Sequence, residues 1–168
     1  MNPLTGDLPL HPALVHLPLG LAFVMPLLTV ALLAGRRWFG PPVVGLVAVL
    51  QLALVAGAVV AKETGEDAEG PAKEQGAPRA VIHEHEERAE LFTVLAGLGF
   101  LALAGSTAAG TRRAAVPLLG AASVLSLATA VQGARTGHEG GELVYEYGAG
   151  VEKVGEAVGE PAAEPKPE

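Results

Sequence analysis

Four long apolar segments constrain this chain more than any other feature. They run from about Pro12 to Ala34, Val43 to Ala61, Leu91 to Ala109 and Ala114 to Val131, and none contains Asp, Glu, Lys or Arg. Each is close to the ~20 residues an α-helix needs to cross ~30 Å of hydrocarbon. Buried helices of a soluble bundle would carry an apolar stripe and a polar face. These segments are apolar all round, and charged residues make up only 17% of the chain, against ~25% in soluble domains. The expected fold is therefore all-α: a polytopic membrane protein built as a four-transmembrane-helix bundle. The helices are expected at about 12–34, 43–61, 79–109 and 114–133, within one domain covering 1–158. Residues 159–168, rich in Pro and Glu, read as a disordered tail.

No Lys or Arg precedes the first apolar segment, and that segment is longer than a signal-peptide core. It reads as a retained helix. The chain has no cysteine, which removes disulfides, thiolate metal ligands and Cys nucleophiles. A net charge of −7 argues against nucleic-acid binding.

The short connections set the orientation. Arg36-Arg37 joins the first two helices and Arg112-Arg113 the last two, with no acid in either connection. The positive-inside rule makes both cytoplasmic, with Trp38 and Phe39 as inner interfacial anchors. The N-terminus, the 62–90 connection and the C-terminal segment then lie outside, together with all 18 Asp and Glu residues. The expected location is the inner (cell) membrane of a bacterium, with both termini extracytoplasmic. Lys62 to Pro78 reads as a solvated Gly-, Glu- and Ala-rich loop. Thr64-Gly65 and Thr136-Gly137 each follow a hairpin whose first helix opens with a histidine or histidine pair. This suggests two repeated hairpins, with each glycine as a helix stop. Gly140 to Val151 reads as a glycine-rich cover on the outer face, with Val151, Val154 and Val158 at helical spacing.

All five histidines fall on the outer side. His11 and His16 open the first helix, His83 and His85 the third, and His138 follows the fourth apolar segment. Polar groups at such depths are costly unless partnered. Imidazole is a common metal ligand and titrates near neutral pH. His16 is preferred over His11 as the inward group, with an interfacial cap as the competing role for both. His83 and His85 are two apart, so a helix turns only one of them inward. His85 shares a stripe with Phe92 and Ala96 and is the preferred ligand, while His83 shares a face with Glu87.

Two inward histidines on different helices of a bundle are the arrangement that holds a b-type haem. The haem candidates are His16 and His85, with His11 and His138 as alternates or supporting groups. A Zn or Cu site would draw on His16, His85, His83 and Glu87. The His-Glu-His-Glu-Glu run does not match the His-Glu-x-x-His protease pattern. Gln51, Ser123, Ser126 and Thr129 read as interhelical hydrogen-bonding groups, and a quinone contact there has no support of its own.

The motifs His11-Pro-x-x-Val-His16-x-Pro-x-Gly, Thr64-Gly, His83-x-His85-Glu-x-x-Ala and Thr136-Gly-His-x-Gly-Gly-x-Leu-Val-Tyr145 resemble those of a bacterial family of uncharacterised four-helix membrane proteins. The resemblance covers residues 8 to about 151. It implies four transmembrane helices, and a cytochrome-b-like haem role has been suspected for such bundles. It implies no enzymatic activity.

The expected function is haem binding near the outer face, for electron transfer or redox sensing. The alternatives are a Zn- or Cu-binding membrane protein and a cofactor-free structural or assembly protein. No catalytic residue is assigned, and the reading leans away from an enzyme. The lipid bilayer is the expected partner; a redox partner protein, a quinone and self-association are compatible with the sequence.

Overall fold

The computed structural model describes residues 10–151. Among them there are five helices and no strand: α1 His11–Leu14, α2 His16–Ala34, α3 Pro41–Glu74, α4 Arg79–Ala109 and α5 Ala115–Tyr145. The first two form one broken rod, so four helical units are long and apolar enough to cross a membrane. The break at Val15 has a local cause. Pro18 has no N–H to donate to the Leu14 carbonyl, and its ring crowds that carbonyl.

The helices run up and down around a common axis. α2 packs on α3 and α5, and α4 packs on the same two, so α2 and α4 face each other diagonally. Met25, Leu54 and Leu103 are almost completely buried at the centre, surrounded by the small residues Ala22, Ala48, Ala58, Ala96, Ala102 and Ala122. Lipid tails are as apolar as leucine, so burying carbon drives helix association little in a membrane. Close backbone approach and interhelical hydrogen bonds do more. Thr29 Oγ1 and Ser126 Oγ lie 2.9 Å apart between α2 and α5, and Gln51 Nε2 donates to the Ala96 carbonyl at 2.8 Å. The outward side chains are large and apolar on every unit. Leu27, Leu46, Leu101 and Val124 are 72%, 62%, 63% and 70% exposed. Such a perimeter suits lipid rather than water.

The helices are longer than their apolar segments. At 1.5 Å per residue, α3 is about 51 Å long and α4 and α5 about 46 Å. A hydrocarbon core takes up only ~30 Å. The surplus lies at the end opposite Arg36, Arg37, Arg112 and Arg113, and it carries all the acids among the described residues. Residues 62–74 are therefore helix rather than the solvated loop the composition suggests. Alanine, glutamate and lysine are strong helix formers. Lys62–Glu66 and Lys73–Glu69 pair at i,i+4. The helix stops only at Gly76, whose φ of +104° fits the left-handed position after a helix. There Gly76 N–H bonds the Lys73 carbonyl and Ala77 N–H the Ala72 carbonyl, the pairing of a Schellman cap.

α5 likewise runs through Gly137 and Gly140 to Tyr145, so neither Thr-Gly pair ends a helix. Beyond it, the chain folds back. Leu143, Ala72, Ala77 and Ile82 form a second small core with Val81, Tyr147 and Ala149 against it. Gly150 N–H donates to Gln75 Oε1 at 2.8 Å. The cover is thus the last turns of α5 plus this return, resting on the α3–α4 turn. Val154, Val158 and the 159–168 tail lie outside the described residues.

Candidate functional site

The projecting helices bring one pair of histidines together. His11, on α1, reaches over α3. Its Nδ1 donates to the Ala61 carbonyl at 2.8 Å. A carbonyl can only accept, so this bond places the proton on Nδ1 and leaves the Nε2 lone pair free. Gly65, one turn beyond Ala61, lets the ring approach. A Cβ at Gly65 would lie 3.1 Å from His11 Cε1.

His85, on α4, repeats this arrangement with α5. Unlike that of His11, its Nδ1 is buried without a hydrogen-bond partner among the described residues. A Cβ at Gly140 would lie 3.1 Å from His85 Cε1. The two rings meet edge to face, with centroids 6.2 Å apart and planes at 89°.

The two halves correspond with a nearly constant offset. His11 to His85 is 74 residues, and Gly65 to Gly140 is 75. Structurally, Gly65 therefore matches Gly140 and not Gly137, so the Thr-Gly similarity in the sequence is three residues out of register. The paired rings meet between α1 and α4, at the end of the bundle opposite Arg36 and Arg112.

Arg88 and Glu139 flank the His85 side. Arg88, one turn along α4 from His85, forms an ion pair with Glu139 of α5, and its Nη2 donates to Glu84 Oε1 at 2.8 Å. Gln132 Nε2 donates to the Arg88 carbonyl at 3.2 Å. Glu139 is only 12% exposed, and its Oε2 is buried without a partner. A groove of about 610 Å³ opens beside this pair, lined by Arg88, Ala134, Arg135, His138 and Glu139.

The remaining histidines stand apart. His16 is exposed, with Nδ1 donating to the Ala13 carbonyl at 3.2 Å. His11 and His16 are five residues apart, about 140° around a helix, so they cannot both face the axis. The preference for His16 over His11 is thus reversed: His11 faces His85, and His16 acts as the local cap. His83 is 70% exposed and lies 3.3 Å from Glu87 and 3.8 Å from Glu86. His138 is exposed on the groove. The set His16, His83, His85 and Glu87 does not converge. Among the described residues no three His, Asp or Glu side chains group as metal ligands.

Sequence reasoning missed Gly65, Gly140, Arg88, Glu139 and Gln132. The offset of 74–75 residues is the signal that would have found the glycines, because it aligns His11 with His85 and Gly65 with Gly140. Glu139 offered none, since one carboxylate among many on an acidic face does not announce a half-buried ion pair.

No curated protein and no solved structure matches this chain. A family model described as "Predicted membrane protein (DUF2231)" matches residues 7–153, which includes every helix and both facing histidines. The chain is therefore an integral membrane protein of the DUF2231 family.

Proposed function

We propose that His11 and His85 would hold a b-type haem at the outer end of the bundle, for electron transfer or redox sensing. The observation that carries this reading is the pair itself: two perpendicular imidazoles, 6.2 Å between centroids, from diagonal helices. His11 Nε2 keeps a free lone pair that a metal could take. His11 also has the supporting bond expected of a ligand, its other nitrogen fixed on a backbone carbonyl. Gly65 and Gly140 let the two rings lie directly against α3 and α5, where a Cβ would come within 3.1 Å of each ring.

When bound, haem supplies one-electron redox chemistry, with the potential set by axial ligands and surroundings. The chain's own contribution is to hold the rings against Gly65 and Gly140 and to orient His11 through the Ala61 carbonyl. Redox work further requires an exchange partner, a protein or a quinone. A lone Zn or Cu ion is the second reading, since imidazole suits both. It has only these two converging ligands. The Arg pairs support a bacterial inner-membrane orientation with this site extracytoplasmic.

The test is one sample and two measurements. Protein purified in detergent from haem-replete cells is expected to show a Soret band that sharpens and shifts on reduction, with stoichiometric iron. Zn or Cu without iron would favour the lone-ion reading. A colourless, metal-free preparation would overturn both and leave a structural or assembly role.

A further inference from the structure

We propose that the outer end of α5 is a binding site for a zwitterionic aminophospholipid, a phosphatidylethanolamine of the leaflet on the acid-bearing side. The site is independent of the histidine pair. At 3.6 residues per turn, Val124, Leu127, Val131, Arg135, His138 and Glu142 lie within about 40° of one line along the helix. Val124, Leu127 and Val131 are 70%, 59% and 48% exposed, and Arg135 and His138 are exposed as well. Arg135 is the first charged residue that α5 meets on its way outward, so the apolar stripe ends there. Just beyond, two grooves of about 610 Å³ and 390 Å³ open, joined at His138. Gly137 and Gly141 line the second groove, and Tyr145 stands at its far end. Packing requires neither glycine. A Cβ at Gly137 would lie 4.0 Å from Leu19 Cδ1 and one at Gly141 3.9 Å from Tyr145 Cδ2, both ordinary contacts.

The order of chemistry along this line is the order within such a lipid: apolar chain, phosphate, ammonium. Val124, Leu127 and Val131 suit an acyl chain. Arg135 offers a guanidinium fork, which matches phosphate with paired N–H donors. Glu142 stands one turn beyond His138, ~6 Å further out, and its carboxylate can accept from a primary ammonium. Charge balance decides between headgroups. Arg88, on the wall of the larger groove, is already held by Glu84 and Glu139. Arg135 is in no ion pair among the described residues. The site therefore presents a cation at the membrane edge and the carboxylates of Glu142 and Glu146 above it. A purely anionic headgroup would answer Arg135 and be repelled by both carboxylates, whereas a zwitterion answers both signs. A snorkelling Arg would account for Arg135 alone, but not for the connected grooves or their glycines.

The test titrates detergent-solubilised full-length protein with phosphatidylethanolamine, phosphatidylcholine or phosphatidylglycerol of identical acyl chains, and counts bound lipid by native mass spectrometry. Phosphatidylethanolamine should bind about two- to fivefold more tightly than the other two, the range for exposed charge pairs. Glu142→Gln should remove that preference and leave phosphatidylcholine binding unchanged. Arg135→Gln should weaken all three lipids, because each carries the phosphate. Glu63→Gln alters an exposed carboxylate of α3 and should change none. These side chains lie outside the core, and circular dichroism checks that each variant folds. Equal binding of the three lipids, or phosphatidylethanolamine binding that survives both α5 variants, would mean boundary lipid only and overturn the site. Preference for phosphatidylglycerol would overturn the zwitterion. Soluble phosphoethanolamine at the lipid's concentration should not displace it, since the apolar stripe contributes to binding. Displacement would overturn a lipid as the occupant.

Discussion

His11 and His85 face each other edge to face, 6.2 Å between ring centroids, across a bundle in which 74 residues of chain separate them. Each ring rests on a glycine of another helix, His11 of α1 on Gly65 of α3 and His85 of α4 on Gly140 of α5. An arrangement in which both the histidine and its packing partner recur has consequences that single substitutions can expose.

Replacing either facing histidine should abolish chromophore binding, whereas replacing the outlying ones should not. His11→Ala and His85→Ala are expected to lower bound haem at least tenfold. His16→Ala and His83→Ala should retain it, because one caps Ala13 and the other pairs with exposed carboxylates. Soret absorbance per mole of protein measures this. Loss in His16→Ala with retention in His11→Ala would restore the opposite assignment.

Gly65→Ala and Gly140→Ala should separate stability from binding. Alanine in a helix interior is favoured over glycine by about 1 kcal/mol. Here the added methyl meets an imidazole at 3.1 Å, tighter than ordinary van der Waals contact. Bound haem should fall several-fold while the helices persist by circular dichroism. Gly137→Ala is the control, since the nearest atom to its Cβ would be Leu19 Cδ1 at 4.0 Å. It should bind normally and melt no lower than wild type.

The small upper core should be separable from the membrane bundle. Leu143→Ala removes the side chain that ties α5 to Ala72, Ala77 and Ile82. Leu→Ala in a core costs about 2–5 kcal/mol, and this edge position should lie near the lower end. Gln75→Ala removes the acceptor for Gly150 N–H, worth about 1 kcal/mol. Both should speed hydrogen exchange over residues 75–82 and 143–150. The central residues around Met25 and Leu54 should be unchanged.

Topology is testable without any ligand. Reporters inserted after Arg37 or Arg113 should report the cytoplasm, and reporters after Gln75 or Val151 the opposite side. The sidedness follows from two Arg pairs in short connections. A reporter after Gln75 that reads as cytoplasmic would invert the molecule and put the histidine pair inside the cell.

The sequence by itself determined the number of spans and the end of the bundle on which charge collects. Hydropathy is a local quantity that accumulates along a segment, and a charge-free run such as 43–61 has no other stable environment. It also determined that His85 faces inward and His83 outward, because two residues on one helix differ by a fixed angle. Where α3 ends was not legible. Gly65, Gly70 and Pro71 read as loop residues, but Ala and Glu propensity, i,i+4 pairs and the cap at Gly76 carry the helix to Glu74. The choice of His11 over His16 belonged to the tertiary structure. It depends on the helical phase at which the rod breaks before Pro18 and on where the Ala61 carbonyl stands. The Arg88–Glu139 pair is likewise tertiary: only the packing of α5 on α4 takes one carboxylate largely out of water and sets it against Arg88.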